Sequence, residues 1–155
     1  MKGESPILFY IVFGFIIPWI IGVNLFKKNQ KVVLTIAPFD SVISLVFNEI
    51  GLFLDFWDIL PNKTESLNCL PIDLGIYPIF GSLFIHYCQK NLLPHWILLL
   101  SFSLFTSGLE YITVLTGSIV YHNGWNIFWT FISYVLAYIL GYSYYVLLKR
   151  NLILR

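Results

Sequence analysis

The feature that most constrains this chain is a series of apolar runs, each close to the length a helix needs to cross a bilayer. A helix rises about 1.5 Å per residue, so about 20 apolar residues cover a hydrocarbon core about 30 Å thick. Five windows of the 155-residue sequence meet that demand, at about 7–26, 32–56, 71–87, 96–116 and 125–148, the third being the shortest. Polar punctuation separates them. Asn29-Gln30-Lys31 follows the first, and Asp58 to Leu70, with Pro61, Asn62, Lys63, Glu65 and Asn68, follows the second. Gln89-Lys90-Asn91 with Pro94 follows the third, and the turn dipeptide Asn123-Gly124 precedes the fifth. The expected fold is all-α: a single integral membrane domain over 1–155, a polytopic transmembrane bundle of about five spans, with no internal repeat.

Composition agrees. The chain is 58% hydrophobic and 11% charged, where a soluble domain carries about 25% charged residues. A small soluble fold leaves too much surface exposed to hide that much apolar area. A net charge of +1 provides no field for nucleic acid. Cys69 and Cys88 lack metal-site spacing and fall on opposite sides of the expected bundle, which argues against a disulfide. The first apolar run is too long for a signal-peptide core and reads as a retained span.

Orientation follows the basic residues. Five spans put Lys27, Lys28, Lys31, Lys90, Lys149, Arg150 and Arg155 on one side and only Lys2 and Lys63 on the other. The N-terminus is therefore expected outside and the C-terminus in the cytoplasm, in a multi-pass protein of the cell membrane. Asn62-Lys63-Thr64 matches a glycosylation triplet on the outer side but reads as plain polar loop.

The informative residues are those that hydrocarbon would reject. An ionised carboxylate at mid-membrane costs at least about 2.5 kcal/mol, so it must face protein or water, pair, or bind a proton. In the second window Asp40, Ser44, Asn48, Gly51 and Asp55 share one helix face, a polar stripe, with Glu49 on the opposite side. Pro38 is expected to loosen this helix and free a carbonyl near Asp40. Asp73, Tyr77 and Gly81 recur at four-residue steps in the third window, and Ser103, Ser107 and Glu110 share a face in the fourth. In the fifth, Asn126, Thr130, Ser133, Ala137 and Gly141 grade from polar to small, suited to close helix contact. By depth, all these acids except Asp40 fall in the outer half. That suggests an outward cavity lined by Glu49, Asp73, Glu110, His122 and Asn126. Trp57, Trp125 and Trp129 are expected as interface anchors, and His86 and His95 as solvated loop neighbours.

Glu110-Tyr111, then Gly117 and Tyr121-His122-Asn123-Gly124-Trp125-Asn126 with Trp129 following, resembles a family of small multi-span membrane proteins of spore-forming Gram-positive bacteria. Those proteins carry a glutamate in the penultimate helix, then a glycine and a Tyr-His-Asn-Gly-Trp-Asn turn opening the last. Pro38-Phe39-Asp40, Asn48 and Trp57 fit the same pattern from about Val32 onward. The resemblance implies a plasma-membrane protein and carries no activity with it. It groups Glu110, Tyr121, His122, Asn123, Trp125 and Asn126 as one unit, in which the turn would bring His122 and Asn126 towards Glu110.

HExxH, CxxC, Walker and GxSxG motifs are absent, so no metalloprotease, ATPase or serine hydrolase is indicated, and no cofactor or metal is expected. Catalytic residues are not identified. Three functions compete. The first is a non-enzymatic bundle or subunit, with lipid around it and a second copy or membrane subunit as partner. The second is a lipid- or isoprenoid-modifying enzyme with Glu110 as acid, His122 as proton shuttle and aromatic side chains steadying a carbocation. The third is an oligomeric transporter or channel component using the Asp40–Asp55 stripe.

Overall fold

The computed structural model describes residues 6–60 and 68–151. The Asn62-Lys63-Thr64 triplet and the cations Lys2, Lys63 and Arg155 lie outside the described residues.

The molecule is a bundle of helical rods. The first rod is made of α1 (Pro6–Phe9), a π-helical stretch (Tyr10–Ile16) and α2 (Ile17–Lys28). It is followed by α3 (Gln30–Phe53), strand β1 (Trp57–Ile59), the short α4 (Leu70–Asp73) and α5 (Ile76–Lys90). The chain ends with α6 (His95–Leu115), strand β2 (Ile119–Tyr121) and α7 (Ile127–Arg150). Four helices are long and apolar enough to cross a membrane: Tyr10–Lys28, α3, α6 and α7. Their outward faces carry large apolar side chains, such as Phe53 at 87% and Ile20 at 61% exposure. Contiguous apolar surface on that scale needs lipid or a partner to cover it.

The expected windows match the rods to within a few residues at most ends. The third window departs. It is broken at Leu74–Gly75, leaving α5 with 15 residues, a rise of only about 22 Å. Gly75 marks the break because a Cβ there would collide with the backbone of Gly14 and Phe15 on the π-helical stretch. The Leu74 carbonyl freed by the break accepts a 2.8 Å hydrogen bond from Trp19 Nε1. α5 is enclosed by α2, α3, α6 and α7, and its Ile79, Phe84 and Ile85 are at most 1% exposed.

Local chemistry sets the ends. Asn29 caps α3 by accepting from Val32 N, and its amide donates to Gln89 Oε1 at 2.6 Å, which joins two turns at the lysine-rich end. Asn126 caps α7, its Oδ1 accepting from Phe128 N and Trp129 N. Asn91, Asn123 and Asp55 take left-handed backbone (φ 47–53°) where helices end or chains turn. α3 therefore stops at Phe53, and Asp55 is turned to the exposed surface, away from the expected stripe. α3 also runs unbroken through Pro38. The carbonyl that a proline ring strips of its partner lies four residues earlier, at Leu34, which is towards the lysine-rich end and not beside Asp40.

At the opposite end, β1 and β2 form an antiparallel ladder, Trp57 opposite Tyr121 and Ile59 opposite Ile119. This small addition to the helical bundle ties the segment after α3 to the segment after α6. An apolar cluster of Tyr10, Ile59, Cys69 and Ile119 lies under it. A larger core, with Val32, Ile36, Phe84, Ile85, Cys88 and Tyr145, fills the lysine-rich end. The two cysteines are free, one in each cluster.

Candidate functional site

Between α3, α5, α6, α7 and the ladder lies a cavity of about 90 Å³. Space of this size admits a few water molecules or one compact ligand. Its lining is mostly aromatic and aliphatic, with two carboxylates, Asp40 and Glu110, and no Lys, Arg or His among the described lining residues.

Glu110, near the ladder end of α6, is the organising group. Its Oε1 accepts from Tyr121 Oη at 2.6 Å and Thr130 Oγ1 at 3.1 Å, and its Oε2 accepts from Tyr134 Oη at 2.5 Å. Because Tyr134 spends its proton on Glu110, the 2.9 Å contact between Tyr77 Oη and Tyr134 Oη has Tyr77 as donor. Thr130, 1% exposed, also accepts from Trp125 Nε1 at 2.9 Å. Tyr121 and Thr130 oxygens lie 2.9 Å apart, but both protons already point at Oε1, so that approach is a by-product of sharing one acceptor. Side chains from β2 and α7 thus converge on the one carboxylate of α6, and Tyr77 of α5 joins them through Tyr134.

Each donor is placed by a local rule. The ladder holds Tyr121 inward. Gly117 (φ 73°) and Gly124 (φ 79°) permit the two turns on either side of β2 that return the chain to α7. On α7 the spacing of Thr130 and Tyr134 puts both on one face. Burial, the Glu110 charge and the bond to it push the Tyr121 phenol above its ordinary value, so it remains a donor. The aromatic wall is as ordered. Trp125 stacks on Phe56 at 4.7 Å and meets Trp57 edge-on at 5.0 Å. Trp57 lies over Gly51, where any Cβ would strike the indole.

The residues expected from sequence divide. Glu110, Tyr121 and Trp125 come together, and Asp40, Ser44 and Asn48 line the same cavity. Asn48 also donates to Asp73 Oδ1 at 2.6 Å. Asp73 is fully buried against α3 and is not part of the lining. Glu49 is exposed and lies off the cavity. His122 does not approach Glu110; its Nε2 sits 3.1 Å from Asp58 Oδ2, because ladder alternation turns it the opposite way from Tyr121. Asn123 donates to the Asp55 carbonyl at 3.0 Å, and Asn126 is spent as the α7 cap. Trp57 and Trp125 face into the bundle, so of the three expected anchors Trp129 alone stays outward, at 49% exposure. His86 and His95 are half-buried and bonded, to Asn29 and to Tyr142 at 2.7 Å.

Tyr134 is the site residue that sequence reasoning missed. One tyrosine in an aromatic-rich helix carries no mark of which way it faces. Thr130 and Tyr77 were visible as members of polar faces, but not as partners of Glu110. Among the described residues, no three His, Cys, Asp or Glu side chains gather in a way that could hold a metal ion. No protein-family model, curated protein or solved structure matches this chain.

Proposed function

We propose that this protein is a multi-pass bundle of the cell membrane, N-terminus outside and C-terminus in the cytoplasm, that binds a small organic cation on Glu110 and performs no chemistry on it. One observation carries this reading: the Glu110 carboxylate is held by three hydroxyl donors at a cavity walled by Trp57, Trp125, Tyr77 and Tyr134, with no cationic side chain in the described lining. Such a site lacks only the positive charge. An ammonium group against aromatic faces gains about 0.5–2 kcal/mol per contact beyond its pairing with a carboxylate. The cavity size favours a compact ammonium over a lipid chain.

The same geometry weighs against Glu110 as a general acid. Both its oxygens are acceptors in bonds already made, so a proton there would face hydroxyl groups that are themselves donating. His122, the proposed shuttle, is engaged elsewhere. A path across the membrane is disfavoured by the core that fills the lysine-rich end.

The test is titration of the purified protein in mild detergent with tetramethylammonium chloride, read by tryptophan fluorescence. Saturable change is expected in the native chain and in Glu49→Gln, and none in Glu110→Gln. A response that Glu110→Gln reproduces, or no saturable response at all, rejects the reading.

A further inference from the structure

The cavity holds a second carboxyl that the Glu110 site does not use. Asp40 on α3 lines it on the side towards the lysine-rich end, where α5 and α7 each present a glycine. A Cβ on Gly81 would overlap Asp40 Oδ2, and one on Gly141 would come within 2.9 Å of Oδ1. The two glycines form a cradle that this carboxyl fills, and three helices close around it.

The cradle supplies shape and nothing else. Among the described residues no hydrogen-bond donor reaches Asp40. The other titratable groups facing the cavity are Tyr77 from α5, Tyr134 and Tyr138 from α7, Glu110 from α6, and Cys69 just before α4. Tyr138 gives its proton to Thr106 Oγ1 at 2.8 Å, since Thr106 donates to the Phe102 carbonyl. Asp73 of α4 meets α3 through Asn48, and the α2 cations Lys27 and Lys28 are exposed at the helix end. A carboxyl packed between helices with no protein donor or counter-charge, half-buried and facing a largely apolar lining, is accommodated most readily with a proton as its positive partner.

We propose that Asp40 is a proton-carrying site, and that a cation arriving at Glu110 displaces the Asp40 proton, so that ligand binding and proton release are coupled. The coupling rests on the cation-binding reading above; the proton on Asp40 does not. A cation in a shared cavity of largely apolar lining favours carboxylate over carboxyl, and by linkage the proton weakens the cation to the same extent. Cation affinity therefore falls as the solution is made more acidic.

Two measurements on the full chain in mild detergent test this. N,N′-dicyclohexylcarbodiimide reacts with a protonated carboxyl by adding its O–H across one C=N bond, and the O-acylisourea rearranges to a stable N-acylurea with no further reactant. Peptide mass mapping is expected to find the adduct on Asp40, at a rate that falls with rising pH, and to find none at that position in Asp40→Asn. No adduct on Asp40, or a rate indifferent to pH, overturns the proton site. In the second, a pH indicator in weak buffer follows titration with tetramethylammonium. Up to one proton per bound cation is expected from the native chain, falling to none in Asp40→Asn. Binding without release overturns the coupling. Absence of tetramethylammonium binding removes the Glu110 reading and the coupling together, while the carbodiimide result still decides whether Asp40 carries a proton.

Discussion

Thr130→Val removes one hydroxyl and keeps the side chain's outline, so it asks what the network around Glu110 contributes to stability. The hydroxyl has two duties: it donates to Glu110 Oε1 at 3.1 Å and accepts from Trp125 Nε1 at 2.9 Å. Losing a hydrogen bond to a charged group costs about 1.5–3 kcal/mol, and orphaning a buried N–H costs about 1–3 kcal/mol. Thr130 is 1% exposed, but Trp125 is only half-buried and can recover part of its loss from solvent. The net expectation is a loss of about 2–4 kcal/mol. For a chain of this size each kcal/mol moves the melting midpoint by about 2–4 °C, so the drop should be roughly 5–15 °C. Thermal scans of the detergent-solubilised protein by far-ultraviolet circular dichroism measure it. Thr130→Ser, which keeps the hydroxyl, should fall much less. Thr116→Val, at an exposed site, should stay within about 0.5 kcal/mol of the native chain. If Thr130→Val melts with Thr116→Val, the convergence on Glu110 does not hold the bundle together.

Gly81→Ala forces a methyl group into the space of the Asp40 carboxyl and should cost about 1–3 kcal/mol; adding Asp40→Ala should recover most of it, and strictly additive losses in the double-mutant cycle would count against the cradle. The Cys69 thiol is pushed up to about 12 from 9 by burial, with Asp73 and Glu49 adding to it. The folded chain therefore keeps a proton that the unfolded chain sheds, so stability is full below pH 9 and declines as pH rises towards about 12. Iodoacetamide labelling of native Cys69 should accordingly stay slow until the protein is unfolded, and prompt labelling at neutral pH would contradict its placement. A reporter fused after Arg155 should be active in the cytoplasm, and activity outside the cell would reverse the proposed orientation.

Four long apolar helices and their approximate ends were legible because they answer to one-dimensional rules, while the 71–87 window, expected as a fifth span, is broken at Leu74–Gly75. Apolar length sets a rod, and Asn29, Asn91, Asn123 and Gly124 mark where it stops. The Asp40–Ser44–Asn48 face was legible too, since helix periodicity alone places those residues together. Glu110 stood out as an acid in an apolar run, and Tyr121 and Trp125 as members of one turn.

What the linear pattern could not supply is which neighbour each polar group meets. α7 is apolar on most of its circumference and shows almost no contrast between its inward and outward sides, so Tyr134 cannot be told from Leu136 by periodicity. The break at Gly75 exists because another backbone, at Gly14, passes within contact distance. Tyr121 rather than His122 reaches Glu110 because strand pairing with Trp57 sets which side of β2 faces in. The chain alone determined that long apolar helices form, while of their acids Asp40 and Glu110 line the cavity and Glu49 stays exposed. Only the tertiary structure decided that Glu110 is surrounded by hydroxyl donors and Asp40 by two glycines, because a side chain's environment is made by segments distant in sequence.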